Sequence, residues 1–166
     1  MVWEANLMVK RSPAALVFRD LLAVVPDRLR ALPPDQIERK TTPTTWSAKE
    51  ELGHLLDSAA NNHQRIVRAQ LEDDPAMPGY EQNRWVDLHN YQHRDWEELI
   101  ELWLSFNVQL LAAVEAIPES GWSRTLTVAG SDPMTLKFVF EDYLAHMRHH
   151  FDRIGISLDA NASKAS

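Results

Sequence analysis

Apolar residues recur at intervals of three and four along most of the chain, the period of helices that bury one face. The pattern predicts four helices, at about 13–32, 47–71, 96–117 and 133–154. Between the last two, 122–133 alternates briefly and contains a glycine, which predicts a loop with a short extended piece. With only five glycines in the whole chain, we expect an all-α fold, a four-helix bundle with at least one long connection.

The spacing also assigns the inner faces of the helices. Pro26 lies inside the first helical pattern and is expected to kink or break that helix. The inner face of the first helix is predicted to consist of Leu16, Val17, Leu21, Val24, Val25, Leu29 and Leu32. The inner stripe of the fourth helix is predicted to consist of Leu136, Val139, Phe140, Tyr143, Leu144, Met147, Phe151 and Ile154.

Three helix ends carry recognisable signals. Ser47 with Glu50 three residues later forms a capping box at the start of the second helix. Asp132 and Pro133 resemble the N-cap and first residue of the fourth helix. Gly155 is suited to the position after its C-cap, where a left-handed conformation is common.

Composition limits the number of domains and the kinds of partner. A chain of 166 residues with 45% hydrophobic residues supports one core, so we expect a single domain over 1–155 and a loose tail over 156–166. A net charge of -7 without a basic block argues against nucleic acid or an anionic membrane as the main partner. No stretch approaches a membrane span or a cleavable leader, so we expect a cytoplasmic protein that binds small molecules.

The segment "AHMRHHF" holds three of the seven histidines. His146 and His150 are four residues apart and share one margin of the fourth helix, whereas His149 lies further round. Two imidazoles at this spacing can bind one metal ion, as in the HExxH helix, although the glutamate of that motif is missing. The alternative is a pair of helix-edge histidines that contact water or a carboxylate.

A third ligand is available on the second helix. His54 can be that ligand only if its stripe borders a groove, because the stripe is polar and a solvated histidine is the ordinary alternative. His63 lies about half a turn away and cannot serve the same ion. His89 and His93 form a rival pair, at a helix start where spacing arguments are weakest. The residues that share the stripe of His54 are Glu50, Asp57, Ser58 and Asn61.

Two motifs together resemble those of the DinB/YfiT-like superfamily of metal-binding four-helix bundles. They are "TTWSAKEELGHLLD" and "HMRHHFDRI", joined by the tryptophan-rich "GYEQNRWVDLHNYQHRDWEELIELW". The resemblance implies a metal held by His54, His146 and His150. Met147 departs from the acidic residue that similar sequences often carry there, so no carboxylate role is expected at that position.

The resemblance also implies classes of reaction, since relatives include thiol-dependent S-transferases, a mycothiol-dependent isomerase and proteins assigned as hydrolases. Three neutral imidazoles leave a coordination position open, where water is acidified or a substrate thiol ionises. Zn or Ni is expected, and Fe also suits imidazole ligands. The chain has no cysteine, so a reactive thiol would come from a low-molecular-weight thiol.

Two carboxylates accompany the expected ligands. Asp57 and Asp142 each lie on the same helical side as one of those ligands, which suggests acceptors for imidazole N–H groups or a general base. The alternative is that both are solvated helix carboxylates. A non-catalytic bundle that binds metal or pairs with itself is the second class of function, and a homodimer is expected in either class.

Overall fold

The computed structural model describes residues 12–158 of the chain. Within this range the four predicted helices are present, and two short helices accompany them. In chain order the helices are α1 Pro13–Arg30, α2 Pro34–Glu38, α3 Ala48–Leu71, α4 Gln82–His89, α5 Trp96–Glu115 and α6 Leu136–Arg153. Two 3₁₀ turns are at Tyr91–His93 and Glu119–Ser123, and three short strands are β1 Ala76–Met77, β2 Thr125–Val128 and β3 Met134–Thr135.

Helix α3 is the centre of the bundle, packed against both α5 and α6, while α1 packs against α5. Its start is fixed as predicted, since the side chain of Ser47 accepts from the backbone N–H of Glu50. The Glu50 carboxylate in return accepts from the Ser47 N–H at 2.9 Å. The first turns of α3 are buried on nearly every side. Its polar stripe therefore lies inside the bundle rather than in solvent.

Helix α1 differs from the sequence prediction in two respects. It continues through Pro26 to Arg30, so Pro26 does not end it. Pro26 is itself buried, and packing of its neighbours offsets the one backbone hydrogen bond that proline removes. The inner face is also rotated, because Leu16, Val17 and Val24 are exposed whereas Phe18 and Leu22 are buried.

The predicted start of the fourth helix is wrong by three residues. The chain remains extended through β3, which pairs antiparallel with β2, and the N-cap is Thr135, whose side chain accepts from the Phe138 N–H. This pairing prevents a helical start at Asp132 and Pro133. Strand β2, which also pairs parallel with β1, is the short extended piece predicted within 122–133.

The end of α6 is confirmed. Gly155 has a φ of +83°, and its N–H donates to the carbonyl of Asp152 while that of Ile156 donates to Phe151. These two bonds form the Schellman motif that favours glycine at this position. Ile156, the first residue of the predicted tail 156–166, is buried. Residues from 159 onward lie outside the described residues, so the boundary at 155 stays a prediction.

All eight residues predicted for the inner stripe of α6 are buried.

In the part of the chain that the structure describes, none of the helices has the length and apolar character needed to cross a membrane.

Candidate metal centre

Three histidines meet where α3 and α6 pack together. The Nε2 atom of His146 lies 3.0 Å from the Nε2 of His54 and 3.0 Å from the Nε2 of His150. The three ligand atoms all lie within 4.8 Å of one another. His54 is fully buried, His150 is almost so, and His146 is half-buried. The structure thus brings together the three residues that the sequence singled out.

Burial keeps two of these imidazoles neutral. Burial, together with the neighbouring rings of His150 and His146, lowers the pKa of His54 to about 3. Burial likewise lowers the pKa of His146 to about 4, assisted by His150. Neutral rings carry a nitrogen lone pair, which is the form that binds a metal ion. At neutral pH these two side chains are therefore ready to act as ligands.

The third imidazole is oriented by a buried carboxylate. Oε2 of Glu51 lies 2.5 Å from Nδ1 of His150, and Oε1 of the same residue lies 2.8 Å from Nε of Arg153. Glu51 is only 2% exposed. A carboxylate in this position holds the ring proton on Nδ1, which directs the Nε2 lone pair toward the other two rings.

The donor set fits a divalent cation. Three tetrahedral imidazole ligands at about 2.0–2.1 Å from an ion have nitrogens about 3.3 Å apart, close to the separations observed. Without a cation a single N–H on Nε2 of His146 could serve only one of its two 3.0 Å contacts, so the three converging nitrogens cannot all be paired. Nδ1 of His54 is in addition buried with no hydrogen-bond partner among the described residues. The residues present therefore suit the metal that the family resemblance implies.

The other described histidines lie outside this cluster. His149 is exposed on α6, with its ring 5.3 Å from that of His150 but turned edge-on. His63 packs against Phe106 further along α3. His89 and His93, the rival pair, do not lie on one helix, because α4 ends at His89 and the backbone of Asn90 is left-handed before the 3₁₀ turn that follows. The helical spacing assumed for His89 and His93 therefore does not exist.

Asp57 is buried beside the cluster without bonding to a ligand ring. Its Oδ1 accepts from the Tyr91 hydroxyl at 2.7 Å and lies 3.0 Å from Nδ1 of His89, while its Oδ2 has no partner among the described residues. Burial raises the pKa of this carboxyl, whereas the contacts with Tyr91 and His89 lower it.

The ring of Tyr91 lies directly on Gly53, where an added Cβ would be 2.1 Å from a ring carbon.

Asp142 occupies a different place. It is exposed on α6, one turn before His146, and none of the described residues forms a hydrogen bond or ion pair with it. It lines a depression together with His146. The structure thus places Asp57 inside the protein and Asp142 on the rim of an open cavity.

Two adjoining depressions lead to the histidine cluster, and both are lined by His146 and Gln82. One has a volume of about 410 Å³ and is also lined by Trp46, His150 and Arg153. The other, of about 260 Å³, is bordered by Ser58, Asn62, Arg65, Tyr80 and Asp142. The imidazoles are therefore reachable from outside on two sides.

Sequence reasoning missed two residues of this centre. Glu51 has no site role in the sequence analysis, although its position three residues before His54 places it on the same side of α3. Trp46 stacks obliquely on the ring of His54, with centroids 4.8 Å apart. The only local signal was their presence in the stretch "TWSAKEELGH". The contact that defines the role of Glu51 is made with His150, 99 residues away.

The chain is similar in sequence to two named proteins. A protein of Halalkalibacterium halodurans is 31% identical over 75 residues, 43% of this chain and 44% of its own length. One of Geobacillus thermodenitrificans is 24% identical over 135 residues, 78% of this chain and 76% of its own. Both carry the name "Putative metal-dependent hydrolase". The chain thus spans less than half of the first relative and about three quarters of the second.

A solved structure shows the same fold. It is YfiT from Bacillus subtilis, described as "a probable metal-dependent hydrolase with an unusual four-helix bundle topology". The TM-score is 0.70 at 18% identity, with 95% of this chain and 94% of that chain covered. The sequence model of the DinB superfamily matches residues 18–154. The chain belongs to the DinB superfamily.

Proposed function

We propose that this protein is a divalent-metal-dependent enzyme that hydrolyses a small-molecule substrate. The observation that carries the proposal is the convergence of three imidazole Nε2 atoms at the end of an open depression. His54, His146 and His150 would hold Zn, Ni or Fe, the ions that imidazole ligands suit. When bound, such an ion supplies Lewis acidity, which lowers the pKa of a water or thiol ligand and polarises an electrophile.

The surrounding residues have distinct tasks in this proposal. Glu51 orients His150 through the Nδ1 hydrogen bond and adds a negative charge that balances the cation. Asp57 would become the acceptor for the His54 Nδ1–H when a metal is held, because its Oδ2 and that nitrogen are both buried, one turn apart on α3 and without a partner among the described residues. Trp46 covers the ring of His54 and limits the access of water from that side.

Thiol S-transfer is the second candidate, favoured by a specific observation. Hydrolysis needs one organic substrate and water, whereas group transfer needs two organic molecules at one centre. The two depressions that share His146 could hold a thiol on one side and an electrophile on the other. The thiol would be a low-molecular-weight compound, because the chain has no cysteine.

Metal analysis tests the centre itself. We expect the purified protein to carry about one metal ion per chain, and His54→Ala, His146→Ala and His150→Ala each to remove it. His149→Ala is the matched control, since it removes an exposed imidazole from the same helix and should leave the metal content unchanged. Full occupancy after His54→Ala would show that the three-histidine site is wrong.

A reaction panel separates the candidates. Ester, amide and lactone substrates are tested alone, and electrophiles are tested with low-molecular-weight thiols, each with and without a chelator. Hydrolysis that a chelator abolishes supports the first proposal, and turnover that requires a thiol supports the second. Activity that a chelator does not affect, or no turnover with any substrate, favours a non-catalytic bundle.

Self-association is a separate proposal, carried over from the sequence. The mass of the protein by sedimentation equilibrium tests it, and the expected value is twice the 19.0 kDa of one chain. A monomer at micromolar concentration would contradict the dimer without affecting the metal centre.

A further inference from the structure

The smaller of the two depressions carries charges that the chemistry of the metal centre does not use. Arg65 of α3 and Asp142 of α6 both line this cavity of about 260 Å³, with the hydroxyl of Tyr80 and the amide of Asn62 beside them. A cavity of this size holds a small charged group rather than a whole substrate.

Arg65 is a partly buried cation, and it has no anionic partner within residues 12–158. Its closest polar contact is Oδ1 of Asn62 at 3.4 Å, and among the described residues none of the carboxylates forms an ion pair with it. Burial lowers the pKa of Arg65, whereas Tyr80 and Asp142 act in the opposite direction. A guanidinium remains charged in proteins, so five N–H donors with a fixed fork geometry are available to a carboxylate.

Asp142 faces Arg65 across the same cavity. Its charge acts on Arg65, yet the two side chains form no ion pair, and Asp142 lies at the exposed rim while Arg65 is deeper. Each charge therefore keeps its bonding capacity. Opposite charges held apart across one small cavity match a ligand that carries both charges in the complementary order.

The helix pairing fixes how far this charged pair is from the histidines. Contacts of Glu51 with His150 and of His54 with His146 show that α3 and α6 run antiparallel. Asp142 is one turn, about 6 Å along α6, from His146. Arg65 is about three turns from His54, and its side chain leans back toward that residue. The charged groups thus lie roughly 6–11 Å from the imidazoles.

We propose that the Arg65–Asp142 cavity binds the α-amino-acid end of the substrate, with the carboxylate on Arg65 and Tyr80 and the ammonium group on Asp142. The inference rests on the proposed function in placing the reacting bond at the histidine cluster. The substrate class is then an α-amino acid whose side chain carries the reacting atom, about two residue lengths of extended chain from the zwitterionic end.

Binding of three matched probes tests this proposal on the metal-free protein. L-Norleucine carries both charges, hexanoate lacks the ammonium group, and pentylamine lacks the carboxylate. Titrations followed by two-dimensional NMR are expected to give L-norleucine about tenfold tighter binding than either analogue, since each charged hydrogen bond contributes on this scale. The shifted resonances should include the backbone amides of Arg65 and Asp142.

Substitutions assign each charge to its partner. Arg65→Gln should weaken L-norleucine and hexanoate about tenfold and leave pentylamine unchanged, whereas Asp142→Asn should weaken L-norleucine and not hexanoate. Matched controls are Arg68→Gln on α3 and Asp152→Asn on α6, two exposed residues that do not line this cavity and should change none of the three affinities.

The result is independent of the metal. Because the probes are titrated after treatment with a chelator, loss of the proposed metal site would leave the titrations unchanged, and failure of the zwitterion site would leave metal content unchanged. Equal affinity for L-norleucine and hexanoate, no saturable shift with any probe, or the same response in Arg65→Gln as in Arg68→Gln would each overturn the proposal.

Discussion

Glu51→Gln is the sharpest test of how the protein supports its metal ligands. Glu51 is 2% exposed, and its two oxygens contact Nδ1 of His150 and Nε of Arg153. Glutamine has nearly the same shape and retains one carbonyl acceptor, but it removes the negative charge. The substitution therefore changes the electrostatics around His150 while leaving room and packing almost unchanged.

The expected magnitude follows from what the carboxylate does. Loss of a charged partner behind a histidine ligand weakens metal binding 10- to 100-fold, which corresponds to about 1.4–2.7 kcal/mol. The free energy of unfolding of the metal-free protein should change by about 1 kcal/mol or less, because the Arg153 side chain is 45% exposed and its ion pair is screened. Metal affinity should thus fall without loss of the fold.

Glu50→Gln is the matched control. Glu50 is the adjacent residue, is also buried, and pairs with Lys40 and the Ser47 N–H instead of an imidazole. The assay is competition for zinc against a chromophoric chelator at neutral pH, with circular dichroism to confirm helix content. If both variants bind zinc equally well, Glu51 does not support His150 and the reasoning about its role is refuted.

Three further predictions concern α3. Gly53→Ala should lower the free energy of unfolding by about 1–3 kcal/mol, measured in urea titrations. The new methyl group overlaps the ring of Tyr91, and this strain exceeds the gain in helix propensity. Unchanged stability would contradict the contact between Gly53 and Tyr91. The metal-free protein should lose stability as the pH falls from 6.5 toward about 3, since the pKa of His54 is lowered across that interval on folding and the unfolded chain then binds more protons. The full shift corresponds to on the order of 5 kcal/mol, and a urea midpoint that does not change with pH would refute it. His54→Leu should abolish metal binding yet stabilise the metal-free protein by about 1–2 kcal/mol. It replaces a buried imidazole that lacks one hydrogen bond with an apolar side chain. A variant that is less stable in thermal unfolding would show that the imidazole of His54 has all its hydrogen bonds.

Helix positions could be predicted where only one apolar face exists. On α6 the stripe from Leu136 to Ile154 is flanked by polar residues, so its period defines the buried side, and every predicted residue is buried. On α1 apolar residues occupy two adjacent faces, and Leu16 and Phe18 are equally plausible core residues by period alone. Which face is buried depends on the position of α5, which is a tertiary contact that local periodicity does not contain.

Spacing along the sequence could define only those parts of the site that lie on one helix. His146 and His150 form a pair by their four-residue interval, whereas His54 was a third ligand only on condition that its stripe borders a groove, and the resemblance then implied it. The role of Glu51 depends on the register between α3 and α6, which brings it to a residue 99 positions away. Arg65 gave no signal at all, since a lone arginine on a polar helix stripe is usually solvated.

The polar row on α3 is itself an argument for function. Glu50, Glu51, His54, Asp57 and Ser58 are all buried in a helix that packs on two others, and buried polar groups cost free energy unless they are fully paired. Glu50 is paired with the Ser47 N–H and with Lys40, whereas one atom of His54 and one of Asp57 have no partner within the described part of the chain. A helix that served only to hold the bundle together would be more stable with apolar residues at those two positions. Both atoms belong to the part of α3 that carries His54, whose ring meets those of His146 and His150. If Nε2 of His54 held a cation, the ring proton would be on Nδ1, one turn from Asp57. The two unpaired atoms would then be a donor and an acceptor that support the metal centre.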